Sequence, residues 1–277
     1  MTGILNKQSR WHDWEEWAVS CKPSLHLEIL KNSQELKFFP ELFSMVDVLQ
    51  DPKWHPEGDV WQHTLHVCDQ AAIIGRRDNL SNNELIELLF AALCHDMGKP
   101  STTIYEDNRW KAPGHPAAGI PIAESFLLKI NASKELISIA KPLVGEHLVH
   151  AQLSMGNKAI RKVIKRLYPA SFDQLFRLIE ADLSGRPPLP TGLPQTVLDF
   201  KVRFDEIEKT IPFELNEATE PLIMGRHIIE LGYKPQKWFK DVLAYCHEAQ
   251  IQGKFNDELE ALQFLKTHLK GKNFNQN

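Results

Sequence analysis

The sequence predicts an all-α protein, and three observations carry that expectation. Apolar residues recur at three- and four-residue spacing along most of the chain. Alternating Val/Ile/Thr runs of the kind that make strands are nearly absent. Capping residues stand ahead of periodic stretches: Ser81-Asn82-Asn83-Glu84 and Ser171-Phe172-Asp173-Gln174 both read as capping boxes. With 277 residues, 43% of them apolar and 25% charged, the chain has an ordinary globular make-up and room for one large domain or two.

Composition also excludes some functions. No run approaches the roughly 18 apolar residues of a membrane span, so no membrane partner is expected. The opening Met1-Thr2-Gly3-Ile4-Leu5-Asn6-Lys7 lacks an apolar core and a small-residue cleavage site, so no signal peptide is expected. Cys21, Cys68, Cys94 and Cys246 are scattered without a CxxC, which predicts reduced thiols, a cytoplasmic protein and no structural zinc cage. Cys94 reads as a small core hydrophobe. A net charge of −4 gives no bulk drive toward nucleic acid, so any such role needs a local basic patch.

Taken in order, residues 1–52 are expected as an N-terminal helical segment, with Trp11, Trp14 and Trp17 packing one helix rather than stacking bases. Residues 53–186 are expected as a metal-site domain. In it His63 opens a helix through Val67, Ala71 and Ile74. The Ser81 capping box leads into Leu85, Leu88, Leu89 and Ala92, and Gly98 and Pro100 are expected to stop that helix. His115 lies between Gly114 and Pro116, ahead of a helix carrying Ala123, Phe126, Leu127 and Ile130. Leu136, Ile139, Ala140, Leu143 and Val144 form a stripe that His147 continues. Asp182 follows Leu175, Leu178 and Ile179 on one face, and Ser184-Gly185-Arg186-Pro187-Pro188 breaks that helix. Residues 187–277 are expected as a Pro-rich linker reaching about Pro212, a C-terminal helical region and a disordered polar tail.

The chemistry concentrates in Ala91-Ala92-Leu93-Cys94-His95-Asp96-Met97-Gly98-Lys99-Pro100. A helix burying one face has little reason to finish on two metal-binding side chains, and adjacent imidazole and carboxylate suit a divalent cation. Single histidines such as His66, His150 and His268 carry no such reading, because a lone His in a helical protein is usually a hydrogen-bonded core or surface residue. His63, His115, His147 and Asp182, each at or near a helix end or on a buried face, can converge with His95 and Asp96 on one cavity inside a bundle.

That order, H…HD…H…H…D, resembles the HD superfamily of metal-dependent phosphohydrolases. The resemblance implies an HD-domain helical bundle, here with a smaller C-terminal helical extension. A wider set of runs is similar to the C-terminal half of bacterial tRNA nucleotidyltransferases, the CCA-adding enzymes that carry an HD domain. These runs are Phe39-Pro40-Glu41-Leu42, Lys53-Trp54-His55-Pro56-Glu57-Gly58-Asp59-Val60-Trp61-Gln62-His63-Thr64-Leu65, the HDMGKP run with Thr102-Thr103, Gly114-His115 and Glu180-Ala181-Asp182. Gly225-Arg226-His227 and Ala249-Gln250-Ile251-Gln252-Gly253-Lys254-Phe255 extend the likeness, which runs from about Trp11 to Gly253. Leu231-Gly232-Tyr233-Lys234-Pro235-Gln236-Lys237 departs from that family's proline-glycine-proline. The nucleotidyltransferase signature and its paired aspartates do not occur, and Asp47, Asp51 and Asp59 have no catalytic spacing. The HD half is therefore expected alone, without nucleotide addition.

The resemblance implies His63, His95, Asp96 and Asp182 as the minimal ligand set. His115 and His147 match the extra histidines of members holding two ions, which Asp96 would bridge. A mixed nitrogen and oxygen set suits Mn, Ni, Fe, Co or Zn, and Mg less well. Such ions generate a nucleophile from water and offset phosphoryl charge. Asp96 and Lys99 are the expected catalytic residues. Lys99 and Arg186 are the expected substrate contacts, although each could instead stabilise a helix end. The expected activity is hydrolysis of nucleotide or RNA-end phosphoesters, of the 2′,3′-cyclic phosphodiesterase, 2′-nucleotidase or phosphatase type. The alternative is a tRNA- or RNA-binding or regulatory module whose metal is structural. Its candidate surface is the basic stripe Lys158, Arg161, Lys162, Lys165 and Arg166, a pattern that also suits a solvated helix face.

Overall fold

Short polar side chains start the helices that matter here. Asp59, Ser81, Ser133 and Ser171 each accept a hydrogen bond from a backbone N–H in the first turn that follows them. The computed structural model describes residues 4–209, 221–251, 254–255 and 257–270. In chain order the first helices are α1 (Trp11–Ala18), α2 (Pro23–Asn32) and α3 (Pro40–Phe43), with a 3-10 turn at Leu36–Phe38 between the last two. Then come α4 (Val60–Arg77), α5 (Asn82–Cys94), α6 (Lys99–Thr102), α7 (His115–Lys129) and α8 (Lys134–Glu146). After a 3-10 turn at Val149–Gln152 follow α9 (Asn157–Leu167), α10 (Phe172–Ser184), α11 (Gln195–Glu208), α12 (Gly225–Glu230), α13 (Trp238–Ile251) and α14 (Glu258–Lys270). The fold is all-α, as the periodicity predicts.

Two compact units share the chain, one from Met1–Leu153 with Pro169–Val202, the other from Ser154–Tyr168 with Arg203–Asn277. In the first, α4 packs on α5, α10 packs on both, and α7 and α8 pair beside them. Arg77 near the end of α4 grips Glu180 of α10 with two nitrogens, at 2.5 and 3.0 Å, which holds together the helices bearing His63 and Asp182. Trp14 and Trp17 are buried, and Trp14 meets Phe39 and Phe126 edge-on with centroids 5.3 Å apart. Trp11 stacks on Phe90 at 5.3 Å. The tryptophans thus pack.

The structure departs from the sequence reading in a few places. α4 begins at Val60, so His63 stands in its first turn rather than opening it. Pro100 does not stop α5. The helix ends at Cys94, and Pro100 lies in the first turn of α6, where a missing N–H breaks no helical bond. Gly98 is needed for closeness: a Cβ there would lie 2.0 Å from the carbonyl oxygen of His115. A hairpin also escaped the periodicity argument. Strands β1 (Ile104–Glu106) and β2 (Arg109–Lys111) pair antiparallel, and Asp107 and Asn108 supply the left-handed turn at φ 52° and 59°. Three-residue strands are too short to show an alternating pattern.

In the second unit, Ile223, Ile228, Phe239, Val242 and Leu265 belong to one apolar cluster. Ile160, Val163, Ile164 and Leu167 of α9 are buried as its stripe predicts. Its basic side chains meet partners: Lys158 and Lys162 lie 3.2 and 3.1 Å from Glu248, and Lys165 lies 2.9 Å from His247. The segment expected as linker contains α11, while Pro212 and the polar tail beyond 270 lie outside the described residues. Among the described residues no helix is long and apolar enough to cross a membrane.

Candidate metal centre

Each expected ligand is placed by a helix. His63 lies in the first turn of α4, and His95 caps the C-terminus of α5 with Asp96 next to it. His115 is the first residue of α7, turned inward by Gly114 at φ 73°, a left-handed conformation that glycine adopts without strain. His147 caps the C-terminus of α8, and Asp182 lies in the last turn of α10. All six are buried, and so is Lys99.

They converge on Asp96. Its Oδ2 lies 3.2 Å from His95 Nε2 and 3.7 Å from His63 Nε2. Its Oδ1 lies 3.2 Å from His115 Nε2 and 3.8 Å from His147 Nε2. Asp182 Oδ1 joins the first side at 3.1 Å from His63 Nε2. The result is two groups of ligand atoms sharing one carboxylate, His63/His95/Asp96 and Asp96/His115/His147, each tight enough to hold a cation.

The outer faces of the rings decide which nitrogen faces inward. Nδ1 of His95, His115 and His147 donates to the carbonyl oxygens of Ala92, Ala112 and Val144, each at 2.7 Å. Their Nε2 atoms therefore carry lone pairs, the tautomer a metal requires. These lone pairs face other acceptors: His115 and His147 Nε2 are 3.2 Å apart, and His63 and His95 Nε2 are 3.3 Å apart. Both buried oxygens of Asp96 lack an aligned hydrogen bond. Acceptors crowded against acceptors in a buried cluster are costly without positive charge among them. The donor set therefore fits divalent ions.

Electrostatics favour cation binding at Asp96, Asp182 and His147 and oppose it at His95. Burial alone would raise the Asp96 carboxyl, but His95 and Lys99 outweigh it and hold it well below the usual carboxylate range. Asp182 is likewise held low against the cost of burial, chiefly by Arg186. Burial would lower His95, but Asp96 and Asp182 raise it instead. Burial and the neighbouring His95 push His147 down to about 3. Two cations touch the carboxylates. Lys99 Nζ lies 2.6 Å from Asp96 Oδ2 and from Gln50 Oε1, and Arg186 Nη2 donates to Asp182 Oδ1 at 2.6 Å.

The sequence reading missed three neighbours. Glu57 Oε1 stands 2.8 Å from His63 Nδ1 and 2.9 Å from His55 Nδ1, so a buried carboxylate backs the one ligand ring that has no carbonyl behind it. Both residues lie in the Trp54–Asp59 run ahead of His63, which carries no periodicity to mark them. His150, set aside as ordinary, lines a cavity of about 730 Å³ together with Asp96, His115, His147 and Asp182. Lys99 and Arg186 line it too.

Comparison with known families agrees with this geometry: the family model of the HD domain matches residues 60–179. The matched stretch is somewhat less than half of the chain. It contains His63, His95, Asp96, His115 and His147, and Asp182 lies just past its end.

Proposed function

We propose that this protein is a metal-dependent phosphohydrolase acting on nucleotide or RNA-end phosphoesters. His63, His95, Asp96 and Asp182 would hold one divalent transition ion, and Asp96, His115 and His147 a second. The observation that carries the reading is the shared carboxylate: Asp96 turns Oδ2 to one group of ligands and Oδ1 to the other. A purely structural metal is enclosed by its ligands. Here four of the six ligand residues line an open cavity large enough for a small molecule, which favours chemistry over scaffolding.

When bound, such ions polarise a phosphoryl group and bring water within reach of ionisation near neutral pH. The chain's own residues supply the rest. Carbonyls of Ala92, Ala112 and Val144 lock three rings with Nε2 inward. Lys99 places a point charge at the edge of the cluster, suited to a phosphate oxygen. Arg186 spends Nη2 on Asp182 and keeps a buried Nε without a partner, a donor free for an anionic substrate. The finer substrate type we propose, a 2′,3′-cyclic phosphodiester, a 2′-nucleotide or a simple phosphomonoester, rests only on the sequence resemblance to HD-bearing tRNA nucleotidyltransferases.

The test is a panel of 2′,3′-cyclic nucleotides, 2′- and 3′-nucleotides and p-nitrophenyl esters, assayed with Mn, Ni, Fe, Co, Zn or Mg after chelator stripping. Metal-restored hydrolysis of at least one class is expected. Inactivity toward every ester with every ion would overturn the reading.

A further inference from the structure

The polar floor of the cavity is enough for a phosphate, yet most of the cavity is something else. Its lining is mostly apolar and includes Leu49, Trp54, Trp110, Leu148, Leu153 and Val197. A small anion would leave these walls wet. Apolar wall area contributes to binding only if the ligand brings apolar surface to cover it.

The two tryptophans are placed to receive something flat. Trp54 is 53% exposed although it is among the largest apolar side chains, and Lys53 Nζ sits 5.1 Å over its ring. Trp110 stands on β2 directly across from Tyr105, whose ring leans on it with centroids 4.9 Å apart. The tight turn at Asp107-Asn108 fixes that register, so Tyr105 braces the indole from the adjacent strand. Arg109 and Lys99 add positive charge to the lining. One cavity thus carries both anion-binding side chains and two indole rings.

We propose that Trp54 and Trp110 stack the base of a nucleoside monophosphate whose phosphoryl group lies on the Asp96 floor, making them specificity-determining residues. The proposal rests on the phosphohydrolase reading for the placing of the phosphoryl end. Its ligand is a free mononucleotide rather than an RNA strand. A cavity of about 730 Å³ is of small-ligand size. Of the basic stripe Lys158, Arg161, Lys162, Lys165 and Arg166, the three lysines already meet Glu248 and His247 in the second unit.

The experiment is calorimetric titration of the Mn-loaded full chain with adenosine 5′-monophosphate and with its abasic match, ribose 5-phosphate. The nucleotide should bind about 10-fold or more tightly than the sugar phosphate, the scale of one base–aromatic stack. Trp54→Leu and Trp110→Leu should each remove much of that difference, leaving ribose 5-phosphate affinity and metal content unchanged, and Trp110→Phe should restore most of it. Equal affinity for the two ligands overturns the proposal, as does undiminished nucleotide affinity in both leucine variants. So does an oligoribonucleotide that binds at least 10-fold more tightly than the mononucleotide. Failure of the phosphohydrolase reading would show separately, as an inactive ester panel, because the titration needs no turnover.

Discussion

The two sides of Asp96 are unequal. On the His63 side stand Asp96 Oδ2, Asp182 and two imidazoles, one of them backed by the Glu57 carboxylate. On the His115 side stand Asp96 Oδ1 and two imidazoles, both backed only by backbone carbonyls. Carboxylates add charge to the ligand set, and a carboxylate behind an imidazole raises its basicity, so the first side should hold its ion more tightly. The same excess of charge explains why Lys99 and Arg186 both lie against carboxylates of that side. In the proposed two-ion site this difference would make an asymmetric pair, one ion resident and the other exchangeable.

Breaking the bridge should have the largest effect. Asp96→Ala should bring bound metal and turnover to background while far-UV circular dichroism stays that of the wild type, checked by elemental analysis and the ester panel. Undiminished turnover would sink the assignment of both sides. Removing the weaker side alone comes next. His147→Ala should retain about one ion per chain where the wild type approaches two in excess Mn, with turnover down ~10²-fold, the scale of losing one transition-state stabiliser. A wild type that saturates at one ion, bound equally well by His147→Ala, would move His147 from the metal to the substrate.

How much of this asymmetry was legible follows from where each residue sits. His95 and Asp96 stood out because a buried helix face ends on two ligands in tandem, and His147 and Asp182 because each continues an apolar stripe. Those are local signals, and the helices deliver them as the spacing predicts. Glu57 and His55 were not legible as site residues. They lie in the Asp51–Asp59 stretch, which has no periodicity, and their role exists only through contact with His63. His150 is illegible for a related reason: the 3-10 turn Val149–Gln152 that carries it to the cavity lining has no pattern longer than its own length. The hairpin bearing Trp110 is hidden by its shortness, and Pro100 misleads because a proline that ends one helix and a proline that opens the next look the same in sequence.

Glu57 offers a sharper probe, since it touches one side only. Glu57→Ala should weaken the tighter Mn site by about 10- to 100-fold, the usual cost of losing the partner of a ligand histidine. The weaker site should be unaffected, as read by competition with a chromophoric chelator. Glu57→Gln keeps an acceptor for His63 and should lose less. Equal weakening of both sites would mean that Glu57 supports the bundle rather than one ligand.

The smallest expected effect is on stability in the chelator-stripped protein. Burial depresses His55 to about 4, its bond to Glu57 opposing only in part, and His147 to about 3. Between those values and the ordinary 6.5 the unfolded chain binds more protons than the folded one, so stability rises with pH and is lost as pH falls below 6.5. His95 works the other way: its pKa is raised, so its contribution is full below 6.5 and fades as pH climbs through the raised value. His55 isolates the effect, because it belongs to neither proposed ligand set. Glu57, held down to about 2 against burial by its bonds to His55 and His63, stays ionised above pH 4.5 and does not confuse the window. From pH 7.0 to 5.0 the wild type should lose on the order of 1–2 kcal/mol more than His55→Asn, measured from urea midpoints. Because a divalent ion binds only unprotonated imidazole, Mn should steepen the pH dependence of both proteins. Identical slopes for the stripped wild type and His55→Asn would show that His55 is not held neutral by its burial beside the His63 side.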